Sequence, residues 1–244
     1  MSILSSLASD ASIAQETDSL GGNSALESGL YAAKVAMAYI NKAASGAMGL
    51  VLNLKAADNR EVRQTLWMTS GTAKGGKNYY EKDGEKHFLP GFIHANALAL
   101  LTTGKEISEL DTETKVVKVY SPEAKAEVPT KVEALMDLIG QDILVGLIKQ
   151  KVDKTQKNDD GIYIATGEFR EENEIDKLFR SSDRMTTAEI RGQAAEATFA
   201  DSWEAKWAGK TKDKSKGAPA GAGKPSAANA GSMATKKPAT SLFG

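Results

Sequence analysis

The sequence predicts a mainly β domain with a few helices, ending in a C-terminal helix and a long tail that has no core of its own. Three observations lead there. Between residues 31 and 69, apolar and neighbouring side chains alternate over three consecutive stretches joined by tight turns, and period two marks half-buried strands. The period becomes helical only from about Thr187. After Ala208 the composition falls to Gly, Ala, Lys, Pro and Ser, which bury too little surface to offset the entropy of ordering.

Taken in order, residues 1–24 are Ser/Ala-rich without a sustained period and read as a flexible N-terminal arm. The first strand alternates Tyr31, Ala33, Val35, Met37 and Tyr39 with smaller or polar residues. Ala44, Ser45 and Gly46 turn the chain into Met48, Leu50, Leu52 and Leu54, and Asp58 and Asn59 turn it into Val62, Leu66 and Met68. Tight turns between strands imply an antiparallel meander, because parallel strands need long crossovers. Asp83 and Gly84 suit a hairpin between two short polar strands. Phe92 to Leu101 reads as a helix and Lys115 to Tyr120 as a strand. Thr130 can cap a helix over Val132, Leu135, Met136 and Ile139 that ends at Gly140. Ile143 to Val152 reads as a long strand, 158–161 as a turn and Ile162 to Thr166 as a last strand, with an acidic exposed run after it. Ala195, Phe199, Trp203 and Trp207 then recur along one C-terminal helix docked on the body. Five or six strands, a helix inserted late in the order and no β–α–β alternation predict a small, partly open β-barrel of the OB type, with a β-sandwich as the alternative. The domain is expected over 25–208, a Gly/Ala/Lys-rich disordered linker over 209–236 and a tip peptide over 237–244.

Composition narrows the function. The 244 residues contain no Cys and only two His, His87 and His94. Disulfides, thiolate metal sites and Cys nucleophiles are therefore excluded, and His-based triads or metal clusters nearly so. No metal or cofactor is expected. No run of eighteen apolar residues exists, so no membrane helix is predicted. The first 22 residues carry no Lys or Arg, unlike a secretory signal, and the expected location is cytoplasmic. The net charge of −1 hides +6 over residues 209–244 and −3 over 1–24, leaving −4 for 25–208. A cationic tail is compatible with a polyanionic partner.

The most informative segment is 71–90. Its first seven residues, GTAKGGK, match a phosphate-binding P-loop, but Asn78 stands where the magnesium-binding Ser or Thr is needed, and no helix is expected to follow. Lys74, Lys77, Lys82 and Lys86 alternate with Tyr79, Tyr80, His87 and Phe88. Lysines that neutralise phosphates beside rings that stack on bases are what sequence-tolerant single-strand binding uses. Glu81, Asp83 and Glu85 could equally cancel three of those charges and leave a solvated hairpin. Arg63 and Trp67 lie four apart on one strand, hence on one face, opposite Val62, Leu66 and Met68. Lys34, Lys42, Lys149 and Lys151 are further candidate phosphate contacts. The carboxylates of 171–174 sit in a hydrophilic run with nothing to perturb them, so an enzyme has no positive support.

Several long blocks resemble the single-stranded DNA-binding proteins of tailed bacteriophages: ESGLYAAKVAMAYINKAASGAMGLVLNL, TLWMTSG with KGGKNYYEKDGEKHFLPGF, DTETKVVKVY, EVPTKVEALMDLIGQDI, FRSSDRMTTAEI and the ending KPATSLFG. The resemblance spans about residues 27–208 and the tip. It implies an OB barrel that coats single-stranded DNA during phage replication or recombination, with the block 74–88 and the Trp67 strand on the DNA face. It also implies that the tip, through Leu242 and Phe243, recruits replication proteins such as a polymerase, helicase or clamp. Proteins of this kind often end in an acidic tail, whereas this tail is cationic and keeps only the aromatic end, Phe243. A protein-interaction module built on a β-barrel, without DNA binding, is the rival expectation.

Overall fold

The computed structural model describes residues 25–121, 123–158 and 163–216. The expected N-terminal arm, the core of the turn at 158–161, the linker beyond 216 and the tip with Leu242 and Phe243 lie outside the described residues. Ten strands and three helices follow in order: β1 (Gly29–Lys42), β2 (Met48–Ala56), β3 (Glu61–Trp67), β4 (Tyr79–Lys82), β5 (Glu85–Phe88), α1 (Pro90–Thr103), β6 (Glu113–Ser121), β7 (Ala126–Ala134), β8 (Asp142–Lys157), β9 (Tyr163–Arg180), α2 (Thr187–Arg191), α3 (Phe199–Trp207) and β10 (Thr211–Asp213). The chain is mainly β, as its alternation predicts, and the meander, the Asp83–Gly84 hairpin and the α1 helix fall where the sequence puts them.

β1 is the hub of an eight-stranded sheet. It pairs with β2 on one edge, and with β8 and then β7 on the other, all antiparallel. β3 extends the sheet beyond β2, β9 beyond β8, and β6 beyond β7. β1 does not keep one alternation. Val35 faces Leu54 but Met37 faces Asn53, so Ala36 is an extra residue, a bulge. Val35 and Ala38 both point into the core (each 0% exposed), whereas Met37 and Tyr39 pack in a separate cluster on the outer face.

The sheet does not close into a barrel. β3 and β9 share no ladder; they are joined by the Gln64 side chain, whose Oε1 accepts the Ile175 N–H at 2.7 Å. Ala25 and Leu26 occupy part of the seam: the Asn173 amide donates to Leu26 O and accepts from Leu26 N–H, both at 2.8 Å. Helix α1 packs its buried Ala95, Leu98 and Ala99 into the core formed with Leu50, Leu52, Leu66, Leu147 and Ile175.

Four further expectations are corrected. Residues 130–134 are strand, not helix. Val132 and Ala134 are buried against Tyr39 while Lys131 and Glu133 face water, a period of two, and the Thr130 hydroxyl donates to Val128 O instead of capping. The acidic run after Thr166 continues β9 to Arg180, because β8 supplies opposite charges across the ladder: Lys149 meets Glu171 at 3.0 Å and Lys154 meets Glu168 at 3.0 Å. The C-terminal helix is two helices, with Ala195 in the link between them. Order also extends past Ala208, since β10 pairs in parallel with Lys149–Lys151.

Glu189 ties α2 to α3. Its carboxylate accepts the N–H groups of Thr186, Thr198 and Phe199, each at 2.8 Å, and the Thr186 hydroxyl at 3.0 Å. So placed, α3 sets Trp203 (4% exposed) over Gly146, where an added Cβ would lie 2.9 Å from the indole. Trp203 Nε1 donates to Asp176 Oδ2 at 2.8 Å. Desolvation alone would raise the Glu189 pKa, but the backbone donors prevail and hold it down to about 2, against an ordinary 4.5. Its contribution to stability is therefore complete above about pH 4.5 and is lost as pH falls towards 2. Glu189→Gln should cost about 1–2 kcal/mol at neutral pH and flatten the acid limb of a pH–stability curve measured by denaturant titration.

Candidate functional site

On the outer face of β3, Arg63, Thr65 and Trp67 oppose Asn53, Val51 and Gly49 of β2. Gly49 is required here: a Cβ at that position would sit 2.9 Å from the Trp67 ring. The indole thus lies against the β2 backbone with 42% of the residue exposed. Arg63 Nη2 donates to the Tyr39 hydroxyl at 2.9 Å, which fixes the guanidinium on the same face. The β6–β7 hairpin covers the neighbouring part of that face through Val132 and Ala134. Between hairpin and sheet runs a cleft of about 490 Å³, floored by Tyr39, Val51, Arg63 and Thr65, with Lys42, Met48 and Lys131 along it.

Two loops join at the Trp67 end of this face. Thr72 donates its N–H and its hydroxyl to Ser45 O, at 2.8 and 3.1 Å, locking the β1–β2 turn to the loop that carries Lys74 and Lys77. Ser70 N–H donates to Lys77 O at 2.8 Å, and Lys77 N–H returns a bond to the Ser70 hydroxyl at 3.0 Å. In the hairpin beyond, Tyr79 pairs with Phe88 and Tyr80 with His87. The ammonium groups of Lys77 and Lys86 sit 5.2 and 5.0 Å from the Tyr79 ring centroid, and Phe88 stacks at 5.0 Å on Phe92. Tyr80 and Phe88 are 45% and 55% exposed.

Ion pairing separates the candidate cations. Among the described residues, Lys42, Arg63, Lys74, Lys77, Lys82 and Lys86 have no carboxylate within 4.0 Å; Glu81 and Asp83 bridge nothing, and Glu85 approaches only His87, at 3.8 Å. The other three lysines named from sequence are engaged elsewhere. Lys34 binds Asp142 at 2.7 Å and Gly140 O at 3.0 Å, and it lies six residues along the ladder from the Trp67 row, roughly 20 Å away. Lys149 is clamped by Glu27 at 2.9 Å and Glu171 at 3.0 Å, which raises its pKa. Lys151 lies 4.0 Å from the Phe169 ring and 3.8 Å from Asp213. Lys42, Trp67, Lys74, Lys77, Tyr79, Tyr80, Lys82, Lys86 and Phe88 thus belong to the Trp67 end of the large sheet or to the loop and separate β4–β5 hairpin that follow it, Arg63 stands four rungs along the same face, and Lys34, Lys149 and Lys151 lie outside.

Several residues of this surface were not legible. Tyr39 reads as core until the bulge turns it outward. Lys131 was hidden inside an expected helix. The tip of the β8–β9 arm carries Lys157 over Tyr163 at 5.4 Å, with Tyr163 66% exposed; its charged stretch gave no aromatic signal of its own.

The residues 71–77 do not open a helix. One 3₁₀ turn, Thr72–Lys74, is followed by β4, so no row of helix N-terminal amides faces a phosphate. Among the described residues no three of His, Asp and Glu converge to hold a metal ion. A larger space of about 890 Å³ lies along the β3–β9 seam, between Arg60 and Arg63 on one wall and Glu171, Glu172 and Glu174 on the other. Those glutamates hold Lys149, Arg170 and Lys214, so this space does not continue the cationic surface.

The division between free and clamped lysines predicts opposite effects on folding. Lys149→Met should lower the melting temperature by leaving Glu27 and Glu171 facing each other, whereas Lys77→Met should leave it unchanged, as thermal denaturation followed by circular dichroism would show. No protein-family model matches the chain, and no curated protein matches it.

Proposed function

We propose that this protein binds single-stranded DNA without sequence preference, by neutralising phosphates with the unpaired cations and stacking bases on Trp67, Tyr80 and Phe88. The observation that carries the reading is a juxtaposition: Lys42, Lys74, Lys77, Lys82 and Lys86, none of them within 4.0 Å of a carboxylate among the described residues, lie in the same region as the exposed rings of Trp67, Tyr80 and Phe88. Stacking faces beside a cationic track are what sequence-tolerant strand binding needs.

The topology supports an OB-type reading. A β1–β2–β3 meander is followed by α1, β8 returns antiparallel to β1, and β9 comes back towards β3. In OB folds, oligonucleotides bind the face of the second and third strands and the loops after the first and fourth. Here those are the Arg63–Trp67 face, the Lys42 turn and the Lys157–Tyr163 arm. A role in phage DNA replication or recombination in the host cytoplasm, with Leu242 and Phe243 recruiting a replication protein, follows from the sequence resemblance and belongs to the same proposal. Among the described residues no helix is long and apolar enough to cross a membrane.

The rival, a protein-binding module, draws on one feature: Val116 and Tyr120 are 64% and 55% exposed on the far side of the β6–β7 hairpin.

Fluorescence-anisotropy titration with oligo-dT and with a duplex, at low and moderate salt, separates the two readings. Tight single-strand binding with a large preference over duplex is expected. Absence of binding at low salt, where electrostatic attraction is strongest, would falsify the DNA reading. Trp67→Ala should then weaken single-strand affinity by about 1–3 kcal/mol. Removing Lys77 and Lys82 together should reduce the salt slope by about 0.7 for each phosphate left without its cation, and Lys34→Ala should leave it unchanged.

A further inference from the structure

A second cavity, of about 380 Å³, lies between β3, β9 and the first turns of α1. Leu66, Leu89, Pro90 and Ile175 give it apolar walls, and the exposed Trp67 lines it as well. Most polar groups around it are already used. Glu174 is bound by Lys214 at 2.7 Å, the Thr69 hydroxyl accepts the Met48 N–H at 2.9 Å, and the Ser70 hydroxyl accepts the Lys77 N–H at 3.0 Å. Two are not.

His94 Nε2 lies 3.1 Å from Asp176 O. A carbonyl oxygen only accepts, so Nε2 carries the proton. Burial holds the ring below its ordinary value of 6.5, hence neutral at pH 7, and Nδ1 is left as an acceptor. Gln64 Oε1 is engaged by the Ile175 N–H, which fixes the amide and leaves its Nε2 as a donor. Neither His94 Nδ1 nor Gln64 Nε2 has a partner among the described residues. Each is oriented by a backbone group, so neither needs to reorganise to meet a ligand.

We propose that this pocket takes one nucleobase of the bound strand, turned in beside Trp67 and held through Gln64 Nε2 and His94 Nδ1. Every base carries a hydrogen-bond donor next to an acceptor on its exposed edge, which complements one acceptor and one donor. The apolar walls suit the faces of a planar ring. A peptide amide offers the same pair of groups, but the cations that share Trp67's end of the sheet favour a polyanionic ligand. The assignment rests on the single-strand reading above.

The test uses the full-length protein with two strands of equal length and charge, oligo-dT and an abasic deoxyribose-phosphate oligomer. His94→Phe should weaken oligo-dT binding by roughly tenfold, the scale of a well-formed base contact. It should change binding to the abasic strand less than about twofold and leave the salt slope unaltered. Equal affinities for oligo-dT in the wild type and the variant would overturn the pocket assignment, and a peptide ligand would give that result too. If the variant fails to fold, photocrosslinking of the wild type to a 5-iodouracil strand decides: adducts within residues 89–94 support the pocket, and adducts confined to the β4–β5 hairpin overturn it. Failure of the wild type to bind oligo-dT at all would mark instead the failure of the underlying reading.

Discussion

The outer surface of this protein depends on one extra residue in β1. Before Ala36 the odd positions of the strand face the core, as Val35 does; after it the even positions do, as Ala38 does. The inversion turns Tyr39 outward, where its hydroxyl holds Arg63 and its ring seats Val132 of the β6–β7 hairpin. Without the bulge Tyr39 would point into a core already filled by Leu52 and Leu54, and the hairpin would keep only Val51 as a buried apolar footing on the sheet. A bulge also sharpens local twist, which suits a strand that takes β8 along one half and β2 along the other.

A chain of near-zero net charge can present a cationic surface because its lysines are sorted by their neighbours. β8 and β9 carry opposite charges across their ladder, so Lys149 and Lys154 are consumed in holding that arm together. The lysines of the 71–88 region come from one short loop and a hairpin with little buried surface, where Glu81 faces Lys86 and Glu85 faces Lys82 across the ladder without closing an ion pair within 4.0 Å. Exposed ion pairs contribute little to stability, so leaving these cations unpaired costs the fold almost nothing.

The parts of the fold that were legible are those in which local pattern and tertiary environment agree. β2 and β3 alternate cleanly because one face is core and the other is water. The Asp83–Gly84 turn and the Pro90 start of α1 carry their own backbone chemistry. Legibility failed where a partner remote in sequence set the environment. β9 reads as a solvated acidic run because the lysines opposite it lie some twenty residues earlier. β7 mimics a capped helix because Val132 starts a helical spacing with Leu135, Met136 and Ile139, although the strand itself ends at Ala134. At the site, residue types found the lysines and rings of 74–88 and the Arg63–Trp67 pair. They could not distinguish Lys149 from Lys77, because the carboxylates that clamp Lys149, Glu27 and Glu171, are remote from it in sequence.

The unclosed seam between β3 and β9 accounts for the two cavities that lie along it. A barrel closed by a β3–β9 ladder would satisfy the edges of β3 and β9 with each other and leave no space there. In this chain the Gln64 side chain makes the link instead, and a side chain spans only one rung. On one side of that rung the seam is lined by charged residues and partly filled by Leu26; on the other it is apolar and roofed by α1, with His94 and Trp67 at its edge. Gln64 therefore has two tasks that constrain each other. Its oxygen must stay on Ile175 to hold the sheet ends together, and that same bond aims its nitrogen away as a donor. A substitution that kept the side-chain volume but removed the amide would loosen the seam and empty the donor position at once, whereas one at His94 touches the acceptor and leaves the Gln64–Ile175 link in place.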